Sequence, residues 1–184
     1  MQTSRSQCSE ASMKKLFIIY IGGAHQNSLI ELHDMRFVVA NHIEETWQVL
    51  RENWWGTPAS LHLDAWGILN YADGFDIQIA DQPSLGNDKK LYFANLGGYD
   101  PSQFTELHKN IFVVAEDAVQ AKQKAIQKIA EWNSAHRDYL YDVDTLLDVN
   151  HLVGDGHHLH LIPTQQKKDF EFVCRYTPIG KNKY

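Results

Sequence analysis

Apolar and polar positions along this chain change period in a fixed order, and the order occurs twice. Residues 15–21, KLFIIYI, are a run of strand-forming residues closed by Gly22-Gly23. After a polar loop, a second extended segment is expected over about residues 30–40. The period then lengthens: Ile43, Trp47, Leu50 and Trp54 fall four, three and four residues apart, which places them on one stripe of a helix. Gly56-Thr57-Pro58 stops that helix. SLHLDAWGIL reads as extended again, and Asp73-Gly74 is a two-residue hairpin signal leading into FDIQIA. The predicted order is ββαββ. In MKKLFIIYIGGA, which begins at residue 13, the apolar run from Leu16 to Ile21 is only six residues, short of the about 7–15 that an export signal's core needs. KKLYFANLGGYD repeats its design from residue 89, so both are expected to be strands of the fold.

Residues 15–40 laid over residues 90–115 without a gap give 11 identities in 26 positions, and an internal duplication is the expected cause. The second copy continues with a stripe of smaller residues, Ala118, Ala121, Ala125, Ile129 and Trp132, then an Asp155-Gly156 turn and HHLHLI in answer to FDIQIA. The expected fold is α+β: two tandem ββαββ units related by internal duplication, each a small sheet covered by one helix, plus a C-terminal strand. The expected boundaries are a variable leader over 1–13, a first unit over 14–80, a linker over 81–89, a second unit over 90–163, and an extension over 164–184 carrying the strand FEFVCRY. Phe37, Val39, Trp47 and Trp54 are expected in the first unit's core, and Phe112, Val114, Ile129 and Trp132 in the second's.

The net charge of −6, with lysines and arginines scattered, supplies no basic stripe for a phosphate backbone, so nucleic acid is not an expected partner. No apolar run approaches the roughly 18 residues of a bilayer span, so no membrane association is expected. Cys8 and Cys174 form neither a disulfide framework nor a zinc pattern, and a reduced cytoplasm is the expected compartment. A homo-oligomer is left open, and the partner is unknown.

The shared chemistry is Glu-Leu-His, as Glu31-Leu32-His33 and Glu106-Leu107-His108. Residues two apart on a strand face the same side, so each copy presents a carboxylate beside an imidazole. Such a pair suits a general base or a ligand. The structural alternative is favoured here: the Glu and His satisfy backbone groups where the chain turns near Asp34. Asp64 and Asp142 are read as corresponding positions, with Asp144 two residues further on, and join the candidate binding residues. His158 and His160 share a strand face and are weak metal candidates, without a third or fourth ligand at a fixed spacing. No metal centre and no cofactor are expected. Gly22-Gly23 and Gly97-Gly98 are not followed by a helix, which removes the phosphate-cradling reading; tight turns are expected there.

The pattern IGG…IELHD…FVVA…W…LHLDAW…DGF, repeated as LGG…TELHK…FVVA…DG, resembles a bacterial family of unknown function whose members carry one or two copies of a short domain with an LGG–ELHD–FVV signature. The resemblance spans about residues 14–163. It rests on Gly22, Gly23, Glu31, His33, Asp34, Phe37 and Val38 in the first copy, while Lys109 replaces the motif's aspartate in the second. It implies a fold and no reaction. The expected function is a non-enzymatic binding or assembly module; the alternative is a small-molecule or metal-assisted hydrolase-like enzyme using the Glu-x-His elements.

Overall fold

The computed structural model describes residues 14–84, 86, 88–100, 102–132, 141–154 and 156–181, with the backbone alone at 129–132 and 141. The first half contains β1 (Lys15–Gly23), β2 (Leu32–Ala40), α1 (Trp47–Glu52), β3 (His62–Ile68), β4 (Tyr71–Ala72) and β5 (Phe75–Ala80). The second contains β6 (Lys90–Gly98), β7 (Leu107–Ala115), α2 (Ala118–Trp132), β8 (Tyr141–Asp148) and β9 (His158–Pro163), and β10 (Phe172–Pro178) is the last strand among the described residues. Three antiparallel sheets result, in the orders β10-β3-β1-β2, β7-β6-β8 and β4-β5-β9. The fold is mixed α+β. No helix among the described residues is long and apolar enough to cross a membrane.

Strand alternation explains how the halves join. β1 is a central strand with both faces covered, so its side chains divide by parity. Phe17, Ile19 and Ile21 pack with Leu50, Trp54, Leu61 and Leu63 on the α1 side. Leu16 and Ile18 face the other way, into a core shared with Leu91, Phe93 and Val114 of the second half. β6 repeats the division, with Tyr92, Ala94 and Leu96 packing against Ala121 and Ala125 of α2. The two large sheets thus meet across one core, and each carries its helix on the far side.

That arrangement corrects three expectations. Phe37, Val39, Phe112 and Val114 belong to the shared core rather than to separate cores for each unit, because their parity on β2 and β7 turns them toward the opposite sheet. Trp54 is buried and Trp47 partly buried on the α1 side, while the Ile129 and Trp132 side chains lie outside the described residues. The last strand of each half leaves its own sheet: β5 and β9 pair with each other, Ile77 opposite Leu161 and Ile79 opposite Leu159. This pairing places Ile77, Leu159 and Leu161 on the shared core, so the third sheet closes one side of the molecule. Finally, Gly22-Gly23 and Gly97-Gly98 are not turns. They are the last residues of β1 and β6, and none of them has a positive φ.

The Asp73-Gly74 hairpin forms between β4 and β5, with positive φ at both residues, the conformation for which Asp-Gly is suited. Its tip also ties the halves together. One Asp73 carboxylate oxygen accepts the Val114 backbone N–H at 2.9 Å, and the other lies 2.8 Å from Lys128 Nζ. Removing this largely buried acceptor orphans a backbone donor of the shared core. Asp73→Ala should therefore cost about 1–3 kcal/mol in a urea titration, and a loss within error would show that the tip is not a structural tie. The counterpart Asp155 lies outside the described residues.

Candidate functional site

Three adjacent strands bring the site together at the open end of the first sheet. Gly22 on β1 pairs with His33 on β2 and with His62 on β3. Directly paired residues of antiparallel strands project to the same face, as do residues two apart on one strand. Glu31, His33, His62 and Asp64 consequently surround Gly22 on one side of the sheet. A Cβ at Gly22 would stand 2.8 Å from His62 Nε2, 2.9 Å from an Asp64 oxygen and 2.9 Å from the His33 ring, so glycine here provides space in the centre of the cluster.

Each carboxylate reaches both imidazoles. His33 Nε2 lies 3.6 Å from Glu31 and 3.3 Å from Asp64, and His62 Nε2 lies 3.1 Å from Glu31 and 3.4 Å from Asp64. His62 is only 2 % exposed and is held on two sides. Its Nδ1 is 2.8 Å from the Ser60 carbonyl oxygen, and the Tyr176 ring of β10 packs over it at 4.4 Å between centroids. Because a carbonyl only accepts, Nδ1 donates to it; Nε2 is then a lone pair in the neutral ring and a second donor in the imidazolium. Ser60 is fixed in turn by its hydroxyl, which donates to the Thr57 carbonyl and accepts the Ala24 N–H.

His62 Nε2 and Asp64 Oδ2 are buried without a hydrogen-bond partner. An unmatched buried polar atom costs about 1–3 kcal/mol, and in the neutral ring Nε2 turns a lone pair toward two carboxylates. Tyr20 borders the cluster, stacked on His33 with ring centroids 5.2 Å apart. Burial, and then the Asp64 and Asp34 carboxylates, push its hydroxyl above the usual phenol range.

The second half reproduces the frame with changed contents. Gly97 pairs with His108 and with Asp142. His108 approaches Glu106 and Asp144 at 3.6 Å each. The register therefore matches Asp64 to Asp144 and His62 to Asp142, correcting the correspondence of Asp64 with Asp142. The insertions around α2 shift the count, and only the strand pairing restores it. Asp142 does not join its cluster: its carboxylate accepts its neighbour's N–H from Val143 and lies 3.4 Å from Lys122. These contacts hold its pKa below the usual carboxylate range. His33 and His108 line opposite walls of one cleft of about 330 Å³ between the halves.

The other candidates stand apart. His160 bonds the Gln82 carbonyl of the segment before β6, and among the described residues it joins no group of three or more possible metal ligands. Asp34, where backbone groups were expected to engage the Glu-x-His pair, itself accepts the Met35 N–H and pairs with Arg36. Glu31 and His33 meet side chains instead. The residue missed from the sequence is His62. Its signal lay in Leu-His-Leu-Asp, where Leu61 and Leu63, both 1 % exposed, fix the opposite face for His62 and Asp64.

Residues 28–79 match the family model described as Domain of Unknown Function (DUF1543), a span that contains all four side chains of the cluster. Among solved structures, the chain is similar to protein Il1583 from Idiomarina loihiensis, with 32 % identity, a TM-score of 0.68, and coverage of 92 % of this chain and 99 % of that one. At this identity over nearly the whole of both chains, the protein belongs to one family with Il1583. No curated protein matches it.

Proposed function

We propose that the chain is a non-enzymatic binding module made of two diverged copies of one ββαββ unit, with a ligand site at the Glu31–His33–His62–Asp64 cluster of the first copy. The duplication is supported by the strand registers, since Gly22 and Gly97 occupy the same position between their neighbours. It is supported again at the β5–β9 pair, where the equivalent residues Gln78 and His160 face each other, as a pseudo-two-fold through that point requires. The observation that carries the site is the buried, unpartnered Nε2 of His62 between two carboxylates. A structural network would match its donors and acceptors. This one leaves a buried ring nitrogen without a hydrogen bond between two carboxylates, as a site that takes a ligand would.

Residues kept for binding rather than stability are often improved by neutralisation. Asp64→Asn removes one of two neighbouring negative charges and supplies an amide donor toward the imidazole lone pairs. At pH 8.5 in the presence of chelator, where ordinary imidazoles are neutral, it should stabilise the chain by about 1 kcal/mol and raise the unfolding midpoint by about 2–4 °C. A midpoint lowered by several degrees would instead make the cluster a structural ion network and end the binding reading.

A further inference from the structure

We infer that the ligand of this cluster is a single divalent transition-metal cation of the zinc type, an assignment that rests on reading the cluster as a binding site. Charge is the first reason. Two carboxylates and two neutral imidazoles present a formal charge of −2, which one divalent cation balances. A proton on one imidazole offsets only half of it. The donor set of two nitrogens and two oxygens suits zinc and its neighbours in the first row better than calcium or magnesium, which prefer oxygen alone.

Distance is the second. Metal bonds of about 2.0–2.1 Å in tetrahedral geometry put neighbouring donor atoms roughly 3.3–3.5 Å apart. The four imidazole–carboxylate separations here run from 3.1 to 3.6 Å. The third reason is orientation. Metal-binding histidines usually donate their second ring N–H to a carbonyl or carboxylate, which fixes the tautomer. His62 does this with Ser60, so its Nε2 lone pair is aimed in advance. Gly22 keeps a methyl group out of the point that lies 2.8 Å from that Nε2 and 2.9 Å from an Asp64 oxygen.

Among the described residues no three such side chains already close on one point as a formed metal centre does. The reason lies in the carboxylates. Each turns one oxygen to His62 and the other to His33, so a cation would draw a single oxygen from each inward. Glu31, half-exposed, has the freedom to do so, while His62 stays fixed as the anchor. The second half provides an internal contrast: with Asp142 turned onto Lys122, its cluster lacks a buried, pre-aimed imidazole and should not hold the cation by itself.

The full chain, stripped with chelator, is titrated with zinc by calorimetry and by competition with a chromophoric chelator. One equivalent per chain is expected, with X-ray absorption showing two imidazole nitrogens among the ligands. His33→Ala and Asp64→Asn should each weaken zinc binding at least about tenfold, since loss of even an outer-shell partner costs 10–100-fold. Gly22→Ala, whose methyl fills the centre, should do the same, and His108→Ala should leave the affinity unchanged. Circular dichroism in chelator confirms that each variant is folded. Failure of zinc, cobalt and nickel to bind, or binding unaltered in both His33→Ala and Asp64→Asn, would overturn the metal assignment. The binding-site reading is decided separately by the metal-free melting of Asp64→Asn, so a stabilised variant in a chain that takes no metal would leave the site standing and remove only its cation.

Discussion

Cutting the Phe37 ring back to alanine should lower the stability of the whole chain by about 3–5 kcal/mol. Phe37 is buried in the shared core, and its ring meets Phe93 at 5.2 Å and Phe112 at 6.2 Å between centroids in edge-on contacts. Phe93 and Phe112 also touch each other at 5.6 Å. One ring from the first half thus packs between two from the second. Because Leu16, Ile18, Leu91, Val114 and Leu161 share this core, the damage reaches both halves. Denaturant unfolding followed by tryptophan fluorescence and far-UV circular dichroism should give one coincident transition, in wild type and variant alike. A loss below about 1 kcal/mol, or two separated transitions, would show that the halves fold on separate cores.

Ending the chain at Asp169 should cost a comparable amount, on the order of 4 kcal/mol from the loss of one buried aliphatic side chain and its accompanying hydrogen bonds. Ile179, 3 % exposed, belongs to the core on the α1 side. Leu61 O accepts the N–H groups of both Ile179 and Gly180, and Arg51 Nε donates to the Ile179 carbonyl at 2.6 Å. Removing β10 breaks these ties, strips the outer edge of β3 and lifts the Tyr176 ring from His62. A bare strand edge invites pairing with another chain. The shortened protein should therefore melt earlier and elute as larger species in size-exclusion chromatography. A monomer of unchanged stability would show that β10 is an accessory strand.

Local order was legible wherever period and turn chemistry agreed. The strand-forming run KLFIIYI, the four-three-four spacing from Ile43 to Trp54 and the Asp-Gly hairpin each depend on the nearest neighbours alone. They correspond to β1, to the 3-10 turn and short helix of residues 43–52, and to the β4–β5 turn. Even there the helix was overestimated. Thr46 bonds back to the Ile43 carbonyl, α1 ends at Glu52, and Trp54 reaches the core from beyond its end.

The candidate site was half legible. Glu31 and His33 could be paired from their spacing, because two residues on one strand share a face whatever lies opposite. His62 and Asp64 form the same kind of pair 31 residues later, yet nothing local says that the two pairs are neighbours. That depends on Gly22 standing between them on β1, and on a register that is counted through loops of unequal length in the two halves. The misassigned partner of Asp64 came from that count.

By itself, the sequence determined which residues alternate, where the chain turns, and which pairs of side chains must share a strand face, since these follow from backbone geometry over a few residues. Tertiary structure alone decided that the two sheets share one core, that β5 and β9 leave their own halves to pair with each other, and that a buried imidazole completes the cluster. The reason is that a strand's hydrogen-bonding groups are the same for every partner. Which partner is taken depends on the apolar surface that each pairing removes from water across the whole molecule, and that quantity exists only once distant segments have met.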